Sequence, residues 1–367
     1  MRNDLTCPRA WRAGFVLSLL APLSACGGER PAAGAASADS VPAGPPAGGR
    51  ELAYVTNEGS GELTVIDTSN DSVVGTIQVG TRPRGVRVSA DGRTVFVALS
   101  GSPRCPPTMP DEECERLGAD KSKDGIGVVD VATRKVTRVL PGGSDPEAFD
   151  ISKDGSRLFV SNEDAHVASI VDIASGEVLA TVPVGREPEG VELHPDGRTV
   201  WVTGETDHDV TVLDTDSGAV VTKIGVGKRP RDLAFTDDGA RAYVTSEVDG
   251  TVSVVDARSY KVLRTIRLPE GSKPMGVELS PDGSLVYVAN GRGKTVSVID
   301  AASDSVLRSV EVGVRPWGIA LSGDGRKLYT ANGPSGDVTV VSTDSMKVIR
   351  KIPAGELPWG VVVGRAP

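Results

Sequence analysis

A repeat of about 42 residues dominates the sequence between Arg50 and Pro367. Its clearest mark is an Asp-Gly dipeptide, and successive glycines of this dipeptide lie 63, 42, 42, 44 and 42 residues apart. A fixed period in this range indicates a repeat architecture, in which stacked units bury a continuous core that no single unit could bury alone. The dipeptides are Asp91-Gly92, Asp154-Gly155, Asp196-Gly197, Asp238-Gly239, Asp282-Gly283 and Asp324-Gly325.

Each unit contains four short runs rich in Val, Ile, Thr and Tyr, in which apolar and polar residues alternate, as in Thr211-Val212-Leu213-Asp214. Alternation with a period of two is typical of β-strands. Asp-Gly between two such runs predicts a hairpin, because glycine adopts a positive φ without steric cost. Four antiparallel strands in each unit, repeated radially, predict an all-β fold of the β-propeller type.

The number of blades follows from two sets of seven positions. The first strand of a unit begins near a proline, and the second strand carries an aromatic residue. The chain nevertheless starts with a second strand, Leu52 to Asn57, and ends with a first strand, Pro358 to Val363. We therefore predict a seven-bladed propeller whose last blade is closed by both termini, which leaves no open sheet edge. The prolines are Pro83, Pro146, Pro188, Pro230, Pro274, Pro316 and Pro358.

The repeat also resembles a known family. Tyr54-Val55-Thr56-Asn57 spells the motif of the YVTN-repeat β-propellers, and a Pro-x-Gly-Val, Ser-Pro-Asp-Gly, Tyr-Val-x-Asn pattern recurs through residues 51–367. The resemblance implies a seven-bladed propeller over this whole range. It implies less about function, because propellers carry unrelated activities.

The N-terminus has the pattern of an export signal. Arg2, Arg9 and Arg12 precede an apolar run over residues 15–21 that is too short to span a membrane. Leu23-Ser24-Ala25-Cys26 resembles the bacterial lipoprotein signal, which implies removal of residues 1–25 and diacylation of Cys26. Several acyl chains on one residue suffice for stable anchoring. Ordinary signal cleavage that leaves an unmodified cysteine is the alternative.

Residues 26–50 are predicted to be a disordered tether. Of residues 27–50, 19 are Ala, Gly, Pro or Ser, which leaves too little apolar surface to order the segment. Gly27 follows the cysteine where the inner-membrane retention signal of lipoproteins has Asp, so the resemblance implies the periplasmic face of the outer membrane or the cell surface. The mature chain carries a net charge of −11 and has no basic stripe, which argues against a nucleic-acid partner. We expect the propeller to be monomeric.

Two cysteines remain for the folded part. Cys105 and Cys114 lie in an insertion over residues 100–124, which makes the second unit 21 residues longer than the others. A pair of exported cysteines indicates a disulfide. Two thiols with no neighbouring His give too few ligands for zinc. A long insertion stiffened by prolines is typical of functional loops, although a tolerated insertion would look the same.

The residues that flank each strand-initial proline form a predicted ring around one mouth of the channel. Two neighbouring units are acidic there, the units from Arg229 to Arg315 are basic, and Trp317 and Trp359 are neighbours. A funnel of this kind suits a small anionic or amphipathic ligand or a charged protein partner. Charges that merely pair across blades are the alternative. The candidate binding residues are Arg82, Arg84, Asp145, Glu147, Glu187, Glu189, Arg229, Arg231, Lys273, Arg315, Trp317 and Trp359.

A second set of polar residues opens the loops on the same face. Carboxylates recur there, and two of them are accompanied by a histidine at equivalent points of neighbouring units. Glu163, His166, Glu205 and His208 are a candidate metal site, because imidazole and carboxylate together suit several divalent metals. Exposed loop histidines and carboxylates that pair with the basic rim are the alternative. No cofactor is predicted.

The sequence favours a binding module over an enzyme. It has neither a Gly-x-Ser-x-Gly elbow nor a Cys-x-x-Cys-His motif. The YVTN propellers are similar to seven-bladed lactonases, so a lactonase that uses the channel mouth is the alternative. The stretches Asp124-Gly125-Ile126-Gly127-Val128-Val129-Asp130 and Gly142-Gly143-Ser144-Asp145-Pro146-Glu147 resemble a YVTN subgroup associated with PQQ-dependent alcohol catabolism. This narrower resemblance implies a role accessory to a quinoprotein dehydrogenase.

Overall fold

The computed structural model describes residues 49–104, 109, 113 and 116–367. These residues form 28 β-strands in seven four-stranded antiparallel sheets, together with one short 3-10 helix, Lys121–Lys123. The predicted seven-bladed propeller is therefore confirmed. No helix among the described residues is long and apolar enough to cross a membrane. The predicted signal peptide, Cys26 and nearly all of the predicted tether lie outside the described residues.

Each blade runs from an inner strand beside the channel to an outer strand at the rim, and we number the blades from the one that contains the first strand. Blade 1 consists of β28 (Pro358–Ala366), β1 (Arg50–Asn57), β2 (Glu62–Asp67) and β3 (Ser72–Gln78). Blade 2 consists of β4 (Val86–Val88), β5 (Thr94–Leu99), β6 (Gly125–Asp130) and β7 (Lys135–Leu140). Blade 3 consists of β8 (Pro146–Ile151), β9 (Arg157–Asn162), β10 (Val167–Asp172) and β11 (Val178–Pro183).

The other four blades repeat this order of strands. Blade 4 consists of β12 (Pro188–Leu193), β13 (Thr199–Gly204), β14 (Asp209–Asp214) and β15 (Val220–Gly225). Blade 5 consists of β16 (Pro230–Phe235), β17 (Arg241–Ser246), β18 (Thr251–Asp256) and β19 (Lys261–Arg267). Blade 6 consists of β20 (Pro274–Leu279), β21 (Leu285–Asn290), β22 (Thr295–Asp300) and β23 (Ser305–Glu311). Blade 7 consists of β24 (Pro316–Leu321), β25 (Lys327–Asn332), β26 (Asp337–Ser342) and β27 (Lys347–Pro353).

Blade 1 is closed by both ends of the described chain, as predicted. Strand β28 pairs antiparallel with β1, with Tyr54 opposite Val362 and Val55 opposite Val361. The C-terminal strand thus becomes the inner strand of the blade that the N-terminal strand begins. This pairing removes the two sheet edges that the termini would otherwise expose.

The core lies between the blades. The second strand of each blade alternates so that its aromatic residue packs against the neighbouring sheet, and all seven of these aromatic residues are buried. Seven separate apolar clusters result, each of which joins residues of adjacent sheets. The aromatic residues are Tyr54, Phe96, Phe159, Trp201, Tyr243, Tyr287 and Tyr329.

A bulge recurs at the start of six of the inner strands. In blade 4, for example, Pro188 pairs with Gly204 but Val191 pairs with Val202, so the inner strand has one extra residue. The same shift follows the initial proline of β8, β16, β20, β24 and β28. A bulge changes the direction in which the side chains beyond it point. Consequently the second half of each inner strand does not follow the alternation set by its first residues.

Candidate functional site

The residue before each strand-initial proline adopts a left-handed conformation, with φ between 43° and 60°. This backbone geometry is uncommon for residues other than glycine, and here it recurs in all seven blades. It turns the chain from the outer strand of one blade into the inner strand of the next. The seven residues are Arg82, Asp145, Glu187, Arg229, Lys273, Arg315 and Leu357.

The residue after each proline stands at the start of an inner strand, where the channel opens, and four of these seven side chains are buried. The mouth is narrow because the next residue is glycine in five blades. A Cβ at Gly190 would lie 2.5 Å from the carbonyl oxygen of Arg231, and one at Gly360 would lie 2.7 Å from that of Arg84. The inner strands of adjacent blades can approach so closely only because these side chains are missing.

The acidic residues that blade 3 places at the rim are neutralised by an arginine of the neighbouring blade 2. Arg84 is 3% exposed and forms ion pairs with Asp145 and Glu147, and its Nη1 lies 3.4 Å from Oε2 of Glu163. Ser100 also donates a hydrogen bond to Asp145. One guanidinium of blade 2 thus holds three carboxylates of blade 3, an arrangement in which a buried charge is compensated rather than offered to a ligand.

A second arginine does the same between blades 4 and 5. Nη2 of Arg231 lies 2.6 Å from Oε1 of Glu189, and Arg231 also pairs with Glu205 and with Glu247, at 3.8 Å. Arg229 reaches the same two loop carboxylates, at 2.5 Å from Glu205 and 3.5 Å from Glu247. The protein's own carboxylates therefore neutralise the charge of these arginines. Charges that pair across blades are the alternative to a ligand-binding rim that the sequence left open.

The remaining loop residues follow this pattern. Arg82 pairs with Glu58 at 2.8 Å and donates to the carbonyl oxygen of Ser102 at 2.9 Å. His166 and His208 have positive φ, and the Nδ1 atom of each lies within hydrogen-bonding distance, 3.0 and 2.8 Å, of a carbonyl oxygen in its own loop. Among the residues that the structure describes, no group of three or more His, Cys, Asp or Glu is placed to hold a metal ion.

The opposite wall of the mouth is aromatic and apolar. The rings of Trp317 and Trp359 lie 6.3 Å apart between centroids, at an angle of 45°. The guanidinium of Arg315 lies 4.9 Å from the centre of the Trp317 ring, a distance that allows a cation–π interaction. Nε1 of Trp317 is buried without a hydrogen-bond partner. Met275 continues this wall and is buried, whereas Lys273 donates to the carbonyl oxygen of Val248.

These two walls enclose one pocket. Glu189, Arg231 and Asp232 lie on its charged side, and Met275, Trp317 and Trp359 lie on its apolar side. Pockets of this composition bind small molecules by apolar contact and orient them through a few polar groups. Glu187 does not line this pocket, because its carboxylate accepts a hydrogen bond from Thr206 in an exposed loop.

Deeper in the channel, the structure shows a cluster that the sequence interpretation missed. Arg87 lies 3.5 Å from Asp150 and 3.1 Å from Glu192, and a second pocket is lined by Arg87, Glu192, Asp232 and Glu278. Asp150, Glu192 and Glu278 lie on inner strands beyond the bulge, where alternation counted from the proline fails. Arg87 lies on β4, which pairs with β5 without such a shift. One signal was present in the sequence: Asp232 stands where five blades have the glycine of Pro-x-Gly.

Burial raises the pKa values of four carboxylates in the channel and at its mouth. Burial raises the pKa of Glu189 to about 7, although Arg231 opposes the shift. Burial likewise raises the pKa of Asp232 to about 6 and that of Glu278 to about 7, against the attraction of Arg87. The pKa of Glu192 is raised well above its usual value by burial and by Asp150. Groups that titrate near neutral pH can exchange protons with a bound molecule.

The base of the insertion is fastened to the rim. Asp124 accepts hydrogen bonds from the backbone N–H groups of Gly101, at 2.7 Å, and of Asp145, at 3.0 Å, and Lys121 pairs with Asp164. The insertion therefore leaves the propeller beside the acidic residues of blade 3 at the rim. Cys105 and Cys114 lie outside the described residues, so the predicted disulfide stays a prediction.

Two family models match parts of the repeat. One, a YNCE-like beta-propeller, matches residues 111–241, and the other, a seven-bladed beta-propeller lactonase, matches residues 217–351. Together with the seven sheets, these matches decide the class. The chain is a β-propeller protein. No curated protein sequence matches this propeller.

Solved structures share the fold of this propeller at low sequence identity. The hydrazine synthase of Kuenenia stuttgartiensis is 22% identical, with a TM-score of 0.67, over 79% of this chain and 92% of that one. A proposed 6-phosphogluconolactonase of Bacteroides fragilis is 15% identical, with a TM-score of 0.71, over 86% and 98%. A protein of unknown function from Desulfotomaculum acetoxidans is 17% identical, with a TM-score of 0.70, over 86% and 99%. At these identities the likeness extends to the fold alone.

Proposed function

We propose that this propeller is a lipid-anchored extracytoplasmic binding module whose channel mouth takes a small amphipathic ligand. The observation that carries the proposal is the two-sided pocket, with Trp317, Trp359 and Met275 on one wall and Glu189, Arg231 and Asp232 on the other. A ligand with one apolar face and one hydrogen-bonding edge would match both walls.

The ion pairs at the rim further restrict the chemical class of ligand that would fit this pocket. Arg84 and Arg231 are each surrounded by carboxylates, so a phosphate or carboxylate group entering the pocket would meet acidic side chains as well as arginines. We therefore favour an uncharged polar edge, such as the hydroxyl groups of a sugar or an alcohol, over the anionic ligand that the sequence first indicated. Glu189 and Asp232 can both donate and accept hydrogen bonds near neutral pH, because burial raises their pKa values to about 7 and about 6.

Tryptophan fluorescence tests this proposal. The full chain with Cys26→Ser, which removes the predicted anchor, would be titrated with neutral sugars and aromatic alcohols, and with their carboxylate and amine derivatives. We expect a saturable change with a neutral ligand, which Trp359→Ala abolishes and Lys273→Ala leaves intact. Stronger binding of the carboxylates than of their neutral parents would reject the proposed ligand class. The absence of any saturable ligand would reject the site.

A lactonase is the second candidate, and two observations favour it. Glu189 and Asp232 are carboxylates with pKa values near those of a general base, and they line the pocket together with Arg231. The lactonase family model also covers the part of the chain that contains Asp232. Hydrolysis of an unphosphorylated sugar lactone should then fall at least a hundredfold in Glu189→Gln or Asp232→Asn. Equal rates of lactone hydrolysis in the wild type and both variants would reject the lactonase hypothesis.

The accessory role beside a PQQ-dependent alcohol oxidation system is proposed from sequence resemblance alone. The stretches over residues 124–130 and 142–147 support it, and both lie at the base of the insertion. If the insertion contacts a quinoprotein dehydrogenase, that enzyme should be retained on the immobilised wild-type chain. A chain without residues 103–119 should then fail to retain it, whereas equal retention on both would reject this contact.

A further inference from the structure

A third pocket, separate from the channel mouth and the inner channel, lies between blades 1 and 2, on the face opposite the channel mouth. Its floor and walls are apolar and include Tyr54, Ile77 and Ala366, and Arg93 and Arg134 lie at its edge. Tyr54 is 2% exposed, and its hydroxyl group has no hydrogen-bond partner. A buried donor without an acceptor is costly, so this hydroxyl calls for an explanation.

The same molecule shows how an equivalent tyrosine is satisfied. Between blades 7 and 1, the hydroxyl of Tyr329 donates to Oδ1 of Asp71 at 2.8 Å, and Nζ of Lys327 lies 2.9 Å from the same carboxylate. Asp71 is a left-handed residue in the turn after the third strand of its blade. This buried tyrosine hydroxyl therefore donates a hydrogen bond to a carboxylate, and a lysine neutralises the charge of that carboxylate.

Between blades 1 and 2 the carboxylate is missing and the cations are present. Arg134 occupies the turn position that corresponds to Asp71, with φ 56°, and its Nη1 donates to the carbonyl oxygen of Val74 at 2.8 Å. Neither Arg93 nor Arg134 forms an ion pair among the described residues, although the chain as a whole is acidic. Asp130, which also lines the pocket, is held in its own turn by Thr133.

We propose that this crevice binds the carboxylate of an amphipathic organic acid, in the place that a protein carboxylate takes between blades 7 and 1. The head group would accept a hydrogen bond from Tyr54 and pair with Arg93 and Arg134. Its apolar chain would cover the side chains of Leu52, Val65 and Ile77, which already line the pocket. This site is independent of the channel mouth and of any activity there.

The crevice between blades 1 and 2 differs in charge from the corresponding crevice between blades 5 and 6. The crevice between blades 5 and 6 is lined by Tyr243, whose hydroxyl also lacks a partner, and by four carboxylates and one cation, Arg241. An anion would be repelled there. This second crevice is therefore a matched control within the same chain. The four residues are Asp237, Asp238, Asp282 and Asp300.

Calorimetric titration of the full chain carrying Cys26→Ser with octanoate tests the proposal, with inorganic phosphate and octylamine as comparison ligands. We expect one octanoate per chain, with affinity reduced about tenfold in Tyr54→Phe, the loss expected for one hydrogen bond to a charged group. Tyr243→Phe should bind like the wild type. Arg134→Asp should abolish binding and raise the melting temperature, because the new carboxylate can accept the Tyr54 hydrogen bond.

The melting temperature separates loss of the site from loss of the fold. An Arg134→Asp chain that is stable and binds octanoate as the wild type does would overturn the proposal. So would binding that Tyr54→Phe leaves unchanged, binding of phosphate alone, or the absence of binding at millimolar octanoate.

Discussion

At the scale of single residues, the main feature of the inner channel is a group of carboxylates that lie near one arginine, Arg87. The Glu278 side chain shares the electrostatic attraction of Arg87 with Asp232 and forms no hydrogen bond within the described structure, so its charge is only partly compensated. Burial raises its pKa to about 7, well above the value of an exposed glutamate. Below that pH the group is largely neutral, and above it the fold must hold an additional buried charge.

This raised pKa predicts how stability depends on pH. Because the folded state holds the Glu278 proton more strongly than the unfolded state, the contribution of this group to stability is present at pH 4 and is lost as pH rises through about 7. Glu278→Gln should therefore stabilise the protein at pH 8, by roughly 1–3 kcal/mol, and have little effect at pH 4. Urea unfolding at the two pH values measures this difference.

The exposed Glu270 supplies the control for this measurement, since it lies in a loop outside the channel. Glu270→Gln should leave the pH dependence unchanged. A Glu278→Gln variant that is no more stable than the wild type at pH 8 would show that Glu278 is solvated or paired in solution.

At the scale of strands, buried hydroxyl groups join neighbouring blades. The hydroxyl of Thr56 accepts a hydrogen bond from the N–H of Gly360 at 2.8 Å, and it donates to the carbonyl oxygen of Arg84 in the next blade at 2.7 Å. Ser161, Thr203 and Thr245 repeat this pattern in blades 3, 4 and 5. The bulge removes one N–H group from the ladder, and the hydroxyl group satisfies it.

Thr56→Val tests this role at the blade that both termini form. The substitution keeps the shape of the side chain but leaves the buried N–H of Gly360 and the carbonyl oxygen of Arg84 without this partner. We expect a loss of about 1–3 kcal/mol in the free energy of unfolding, measured by chemical denaturation. Thr76→Val, an exposed position on β3 of the same blade, should change stability little. Equal effects at the two positions would contradict the role assigned to Thr56.

Strand order and blade closure could be predicted from the sequence because both depend on local patterns. The proline positions, the Asp-Gly turns and the period of two are each contained within a few residues. The pairing of Arg84 with blade 3 and the cluster around Arg87 could not be predicted in this way. The former depends on which side chains face one another across blades. In the latter, a bulge changes the direction of the Glu192 and Glu278 side chains that meet Arg87. Only Asp232, in a glycine position, marked the inner channel in advance.

At the scale of the whole molecule, our proposals assign a different role to each face of the propeller. One face carries the channel mouth, and the tether joins the other. The N-terminal strand β1 enters at Arg50 on the face of the Asp-Gly turns, and its other end, Asn57, lies at the channel mouth beside Pro358. A tether attached to residue 50 therefore starts from the face that does not carry the mouth. If Cys26 is lipidated and the segment from residue 27 to residue 50 is the predicted tether, the propeller would lie roughly 25–30 Å from the membrane on average.

This arrangement predicts that anchoring and ligand binding can be separated. Cys26→Ser should move the protein from the membrane fraction to the soluble fraction, because the substitution removes the thiol that the proposed acylation requires. The fluorescence response to a mouth ligand should be unchanged in this variant, since the chain enters β1 at Arg50, the end of this strand away from the mouth. Cys7→Ser, within the predicted signal, is the matched control and should leave the protein in the membrane fraction. Retention of the Cys26→Ser chain on membranes would mean that a surface other than the acylated cysteine holds the propeller there.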